Sequence, residues 1–252
     1  MNLQRLLSLT RKAVDDYHMI ESGDRIAVGI SGGKDSLTLL CALNGLKRFY
    51  PAAFELVPVC VDLGFADKDP AAFEALKHFV SDLGMNLDIV DSQSAEVIFD
   101  IRKESNPCSL CAKLRKGAFN TRAKELGCNK IAYAHHRNDF IETLLMSLIF
   151  EGRINCFSPV SYLDRMDLTL IRPLMYVEEP DIIAFSRDNR LPVMKNPCPA
   201  DGNTRREEMK ELLSDLNKRY HGVSERMFGA VLRGNLPGWP VVSGSSDISG
   251  RK

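Results

Sequence analysis

The sequence predicts an α/β fold: a parallel twisted sheet with helices on both faces and helical additions at the two ends. Two observations carry this expectation. Short apolar runs of strand length alternate along the chain with longer segments whose apolar residues recur at helical spacing. Strands that alternate with helices build parallel sheets. The composition agrees: 252 residues, 44% hydrophobic and 26% charged, suffice for one large α/β domain or two small ones.

The first segment reads as a helix, with Leu3, Leu6, Leu7, Val14, Tyr17 and Ile20 near one face, so residues 1–22 form an N-terminal helix. Gly23 and Asp24 end it. Arg25-Ile-Ala-Val-Gly-Ile30 is a buried strand, Ser31 to Ser36 a turn, and an apolar-rich helix runs on to about Tyr50. Leu56-Val-Pro-Val-Cys-Val-Asp62 is the second strand. Phe73, Leu76, Phe79, Val80 and Leu83 mark a helix, and Leu87-Asp-Ile-Val90 the third strand. A helix from about Leu110 to Leu126 leads to the fourth strand, Lys130-Ile-Ala-Tyr-Ala134, and another runs from Asn138 to Phe150. Leu168 to Ile171 offers one more strand. From Glu178 the pattern is helical, interrupted by a loop at Pro192, Pro197 and Pro199, then resumed in a charged helix from about Thr204 to Tyr220. Residues 23–234 read as one domain with C-terminal helices, and 235–252, rich in Gly and Ser without periodicity, as a flexible tail.

Lys+Arg and Asp+Glu both total 33, so the net charge is zero. That excludes a globally basic nucleic-acid binder but not a locally basic face. No apolar run approaches the length of a membrane span. The segment Met1 to Tyr17 carries Arg5, Arg11, Lys12, Asp15 and Asp16 and lacks the apolar core and cleavage site of a signal peptide. Seven cysteines, an odd number, do not fit a disulfide framework. The expected location is the cytoplasm, where grouped cysteines point to metal binding or catalysis.

Ser31-Gly-Gly-Lys-Asp-Ser36 between strand and helix is the strongest single signal. Gly32 and Gly33 allow positive φ and close backbone approach. The following helix offers free N–H groups and the positive end of its dipole, while Ser31 and Ser36 add hydroxyls. These parts suit a pyrophosphate-like anion. A bare Gly-Gly would do no more than turn the chain, but six residues in this order after the first strand favour a ligand. The loop is neither a Walker A sequence, since Asp35 follows Lys34, nor a dinucleotide fingerprint. Asp62, at the carboxyl edge of the second strand, either touches the nucleotide or caps the next turn.

Pro107-Cys-Ser-Leu-Cys111 places two thiols at a helix start, and Cys198 lies far away between Pro197 and Pro199. Three such cysteines can ligate an iron–sulfur cluster with one iron left open, form a structural zinc site with His135 or His136, or act as a redox or persulfide pair. Cys41, Cys60, Cys128 and Cys156 read as small buried hydrophobes.

His135-His136 follow the fourth strand, and Asn138-Asp139 open the next helix. Asp139 is a candidate Mg²⁺ ligand, its bland reading being a first-turn helix acid. Residues 101–137 hold nine basic side chains against two acidic ones, a local charge of +7. Lys113, Arg115 and Lys116, joined by Arg205 and Arg206, are candidates for an RNA phosphate backbone. The bland reading is a solvated face balanced by acids elsewhere.

By residue order, Ser31 to Ser36 resembles the PP-loop of the ATP pyrophosphatase superfamily. That loop, followed by Cys108-x-x-Cys111-x-Lys-x-Arg-x-Gly117, His135-His-Arg-Asn-Asp139 with Glu142-Thr143, Arg172-Pro-Leu and Pro197-Cys198, resembles the tRNA 2-thiocytidine synthetase family from about Gly23 to Arg233. The resemblance implies an adenine nucleotide alpha hydrolase-like fold and a sulfurtransferase that thiolates C2 of cytidine 32 in tRNA. It implies ATP, Mg²⁺ and a [4Fe–4S] cluster held by Cys108, Cys111 and Cys198. It implies sulfur from a cysteine desulfurase, and it is compatible with a homodimer. ATP would be bound by Ser31, Gly32, Gly33, Lys34, Asp35, Ser36, Asp62, His135 and Asp139, with Lys34, Asp35 and the three cysteines catalytic. The family pattern has two consecutive acids where this chain has Asn138 and Asp139.

Three other readings stand beside it. A lysidine synthetase-like ligase needs no cluster and leaves the three cysteines unexplained. A thiouridine synthetase should carry paired cysteines at both ends, and none precedes Cys41 or follows Cys198. A non-catalytic nucleotide or metal sensor is supported only by Asn138.

Overall fold

The structure is a computed structural model that describes residues 1–65, 69–92, 94–95, 98, 107–195, 197–198, 204–234, 236 and 238–239, the first two residues of 107–195 by backbone alone. In chain order the elements are α1 (Leu3–Asp16), β1 (Arg25–Gly29), α2 (Lys34–Lys47), β2 (Glu55–Asp62), α3 (Pro70–Asp82), β3 (Asp88–Asp91), α4 (Pro107–Glu125), β4 (Lys130–Ala132), α5 (Arg137–Glu151), β5 (Val160–Leu163), β6 (Leu168–Ile171), α6 (Glu179–Asp188), α7 (Arg205–Arg219) and α8 (Val223–Arg233).

Helix starts follow their sequence signals. Asn2 accepts the Arg5 N–H at 2.9 Å, Asp69 accepts from Ala71 and Ala72 ahead of Pro70 at the first helical position, and Thr204 accepts from Glu207. The sheet order is β3-β2-β1-β4-β6-β5. The first five strands are parallel, and β5 pairs antiparallel with β6. The chain therefore steps outward from β1 to β3, then returns to the other side of β1. That reversal makes a topological switch point between β1 and β4, where open α/β sheets hold ligands at the carboxyl ends.

Alternate strand residues feed two cores, as the pleat requires. Ile26, Val28, Ile30, Ala132 and Ile171 join the larger core with α1, α2, α3, α5 and α6. Ala27, Val59, Ile131 and Leu170 face the other way, onto Phe119 and Ala123 of α4. Helices thus cover both faces, as expected. α1 is no separate appendage: Leu6, Ala13 and Val14 are fully buried in the larger core.

Two elements lie outside the sequence reading. β5 is a short edge strand whose Tyr162 is 59% exposed, so it carries little apolar pattern. α8 follows the left-handed Gly222 and buries only Ser224, Phe228 and Val231. The fourth strand stops at Ala132 rather than Ala134. The tail reading changes at its start: Leu236 is 8% exposed, and Trp239 packs edge-on against Tyr17 and Phe140. Residues 235, 237 and 240–252 lie outside the described residues.

Candidate active site

The predicted phosphate loop leaves the carboxyl end of β1 at the switch point. Only Gly32 takes positive φ, +76°, and a Cβ there would lie 2.7 Å from Met194 Sδ. Gly33 is the extended N-cap residue of α2, with φ −79°. The loop is braced from within. Ser36 Oγ accepts the Ser31 N–H at 3.2 Å and donates to the Gly33 carbonyl at 2.9 Å, and Ser31 Oγ accepts the Gly33 N–H at 3.3 Å. This bracing keeps the first-turn N–H groups of α2 aimed past the loop, the geometry of an anion cradle.

Lys34 Nζ lies 3.1 Å from Asp35 Oδ2 and 3.2 Å from Glu179 Oε1, and Lys210 Nζ reaches the same Glu179 oxygen at 2.8 Å. Burial alone would lower the Lys34 ammonium, but Asp35 and Glu179 overcome it and hold its pKa above the ordinary value. Burial likewise works to raise Glu179, and Lys210 and Lys34 bring it below the usual carboxylate range. Lys34 is therefore charged and already held by acids that an incoming phosphate can replace. Asp35 Oδ1 is buried without a hydrogen-bond partner, 3.8 Å from His136 Nε2.

β4 delivers the histidines beside the loop. His135 is stacked on Phe157 at 4.3 Å and its Nδ1 accepts from Arg172 Nε at 3.1 Å. Burial, then Arg172, Arg206 and Lys116, push its pKa well below 6.5, so it is neutral. Asp139 Oδ2 accepts the His136 N–H at 2.9 Å, and Oδ1 accepts from Arg206 Nη1 at 3.1 Å. Both carboxylate oxygens are thus taken by protein donors, the arrangement of a first-turn helix acid. Arg206 also meets Glu142 at 3.2 Å and Thr143 at 3.4 Å, so its guanidinium is tied to α5 while the side chain stays 38% exposed. Asn138 Oδ1 accepts the Glu179 N–H at 3.0 Å and ties α5 to the start of α6. Asp62 Oδ1 accepts the Gly64 N–H at 3.0 Å, the turn-capping contact.

Cys111 sits half-buried near the start of α4 and Cys198 half-buried in the proline loop; the side chain of Cys108 lies outside the described residues. The other thiols differ in kind. Cys60, Cys128 and Cys156 are buried, and Cys156 Sγ donates to the Phe140 carbonyl at 3.1 Å. Burial pushes Cys41 up to about 11 and Cys156 up to about 12, which disfavours thiolate and metal binding there. Among the described residues no group of three or more His, Cys, Asp or Glu side chains forms a metal site.

The basic stretch divides in two. Arg122 is paired with Asp88 through two 2.8 Å contacts, Lys124 with Asp167, Lys130 with Asp24, and Arg137 with Glu178 and Glu225. Lys113, Arg115 and Lys116 are exposed and make no ion pair with a described residue. Arg205 is exposed, with its guanidinium over Phe150 at 4.7 Å. Arg102 and Lys103 lie outside the described residues.

Comparisons with known proteins agree with this geometry. A family profile described as a PP-loop domain matches residues 4–216. A tRNA-cytidine(32) 2-sulfurtransferase from Geobacter sulfurreducens is 38% identical over 231 residues, covering 90% of this chain and 89% of the relative. Its namesake from Pelobacter propionicus is 40% identical, covering 90% and 85%. The chain belongs to the tRNA-cytidine(32) 2-sulfurtransferase family. Among solved structures, the U34-tRNA thiolase NcsA from Methanococcus maripaludis with its [4Fe–4S] cluster shares the fold, with TM-score 0.71 and 23% identity over 88% of this chain and 76% of that one. An NH₃-dependent NAD synthetase from Campylobacter jejuni does so with TM-score 0.50 and 15% identity, covering 93% and 95%.

For a member of the sulfurtransferase family, the site holds two residues that the sequence did not single out, Glu179 of α6 and Lys210 of α7; Glu142, of the quoted motif, lies against Arg206. A lone acid at a helix start, as Glu179 is, gives no signal in sequence; only its meeting with Lys34 does.

Proposed function

We propose that this protein is an ATP-dependent tRNA sulfurtransferase that replaces the C2 oxygen of cytidine 32 with sulfur. The observation that carries the reading is the near-full-length identity with tRNA-cytidine(32) 2-sulfurtransferases, in a chain that keeps a braced phosphate loop beside Lys34.

The cytidine C2 oxygen is a poor leaving group. Its attack on the α-phosphate of ATP forms an O–P bond and expels pyrophosphate. A sulfide then adds at C2, the C–O bond breaks, and AMP leaves with the oxygen. In this reading the first-turn N–H groups of α2 and the Lys34 ammonium stabilise charge on the departing pyrophosphate. Asp35 and Glu179 keep Lys34 charged against its burial and hold its ammonium at the loop until the nucleotide arrives. Asp35 Oδ1, buried and without a partner, is a hard oxygen donor suited to Mg²⁺, and Asp139 can join it when Arg206 lets go.

Cys111 and Cys198, half-buried and without the burial that pushes up the thiols of Cys41, Cys128 and Cys156, fit a thiolate donor set completed by Cys108. These three cysteines would hold a [4Fe–4S] cluster, which would supply the sulfur-carrying chemistry when bound. We extend the reading to a cysteine desulfurase as sulfur source, to the cytoplasm as location and to a homodimer as assembly. No described helix is long and apolar enough to cross a membrane.

The test is anaerobic purification followed by iron, acid-labile sulfide and zinc analysis, and an assay for 2-thiocytidine in an unmodified tRNA. Roughly four irons and four sulfides per chain, lost in Cys108→Ser, Cys111→Ser and Cys198→Ser, together with ATP-dependent 2-thiocytidine, are expected. One zinc without iron, or ATP consumed with no thiolated cytidine, overturns the reading.

A further inference from the structure

Arg172, of the Arg172-Pro-Leu motif, has no task in the chemistry above. It follows β6 at the carboxyl edge of the sheet and is 6% exposed. Its partners are all neutral: His135 Nδ1 at 3.1 Å, the Ser158 carbonyl, Ser161 Oγ at 3.4 Å, and the Phe157 ring, with Cζ 5.0 Å from its centroid. No carboxylate among the described residues lies within ion-pair distance of it. The other buried charges are matched: Lys130 with Asp24 at 2.7 Å, Glu142 with Arg206 at 3.2 Å, and Glu179 with Lys34 and Lys210. A buried guanidinium without a counter-charge is costly and stays charged. Its neutral partners fix its direction without cancelling its charge.

Other cations gather at the same place. The Arg206 guanidinium lies 5.8 Å from the same Phe157 ring, although Asp139 and Glu142 neutralise it. Burial, then the charges of Arg172, Arg115 and Arg206, lower the Lys116 pKa, so Lys116 of α4 shares one positive neighbourhood with Arg172. Lys113, Arg115 and Lys116 then continue the positive charge along α4 to the surface. In the sheet order, β6 lies two strands from β1. At about 4.8 Å per strand, Arg172 stands roughly 10 Å across from the phosphate loop.

We infer that Arg172, with Lys116 beside it, is a second phosphate-binding point, separate from the loop, that takes a backbone phosphate of the RNA substrate next to the cytidine being modified. A polyanion following the exposed charges of α4 reaches it from the surface, whereas the phosphates of ATP are drawn to the α2 start. Nε and Nη1 of Arg172 are held by His135, Ser158 and Ser161, which leaves Nη2 as the donor for a phosphate oxygen and the charge of the whole guanidinium to attract it. This inference rests on the reading of the protein as a tRNA-modifying enzyme.

The experiment uses anaerobically purified protein, unmodified tRNA and ATP, with Arg172→Lys, Arg172→Gln and Lys116→Gln. Lys116 is exposed, so its variant does not depend on repacking of the buried site. Binding of tRNA should weaken roughly ten- to hundredfold in Arg172→Gln. The slope of log affinity against log salt should fall by about one in Arg172→Gln and in Lys116→Gln. ATP affinity and iron content should stay at wild-type values, and Arg172→Lys should recover part of the loss.

A loss of ATP affinity with tRNA binding intact would assign Arg172 to the nucleotide and overturn the inference. Loss of iron would assign it to the cluster, with the same consequence. Unchanged tRNA affinity and salt slope in both Gln variants would overturn it while the functional reading stands. Wild-type protein that binds no tRNA would overturn both.

Discussion

The Asn138 side-chain carbonyl does a structural job by accepting the Glu179 N–H at 3.0 Å. Asn138→Ala leaves that helix-start donor unpaired and should cost about 1 kcal/mol in urea unfolding. Asn138→Asp keeps an acceptor and should cost far less; equal losses would show that the acceptor is not what matters. Neighbouring His135 sets a pH dependence. Its folded pKa is well below 6.5, so the unfolded chain takes up the proton first as pH falls. The stability it supports is complete above 6.5 and is lost as pH drops beneath that value. The slope is at most about 1.4 kcal/mol per pH unit. Urea unfolding on both sides of the transition should show this slope in the wild type and a flatter one in His135→Gln.

The phosphate loop depends on one backbone conformation and one close neighbour. Gly32→Ala meets both a φ of +76° and Met194 Sδ at 2.7 Å. It should lose about 1–2 kcal/mol from the left-handed backbone alone, and ATP affinity with it as α2 shifts. Adding Met194→Ala removes the clash but not the backbone strain, so calorimetric ATP binding should recover only in part. Full recovery would place the whole effect in the side chain. Most elements were legible in sequence because parallel strands buried on both faces read as apolar runs, as Arg25–Gly29 and Glu55–Asp62 do. β5 was not, since an edge strand with an exposed Tyr162 carries half the pattern and forms only against β6. α8 was not, since its buried Phe228 and Val231 matter only once α5 is there to receive them.

In the whole molecule, Glu179 joins three helices through Lys34 of α2 and Lys210 of α7, so nucleotide binding is linked to global stability. ATP at a hundred times its Kd should stabilise the fold by about 2.7 kcal/mol. For a chain of this size that is roughly 5–11 °C in Tm. Lys34→Ala should lose most of this shift in a thermal melt; a wild-type melt that ATP leaves unmoved would count against the loop as its site.

The order of motifs along the chain determined the fold class, the phosphate loop and the cysteine positions, because each of these is local or ordered by sequence. Tertiary structure alone decided which charges are spent. Arg122, Lys124, Lys130 and Arg137 are paired with acids from other elements, while Lys113, Arg115 and Lys116 on the same stretch make no such pair among the described residues. It also paired Arg206 with Asp139 and left Arg172 buried with neutral partners. Coulomb attraction falls with distance in space and strengthens as water is removed. Neither quantity is written in the spacing of residues along a chain.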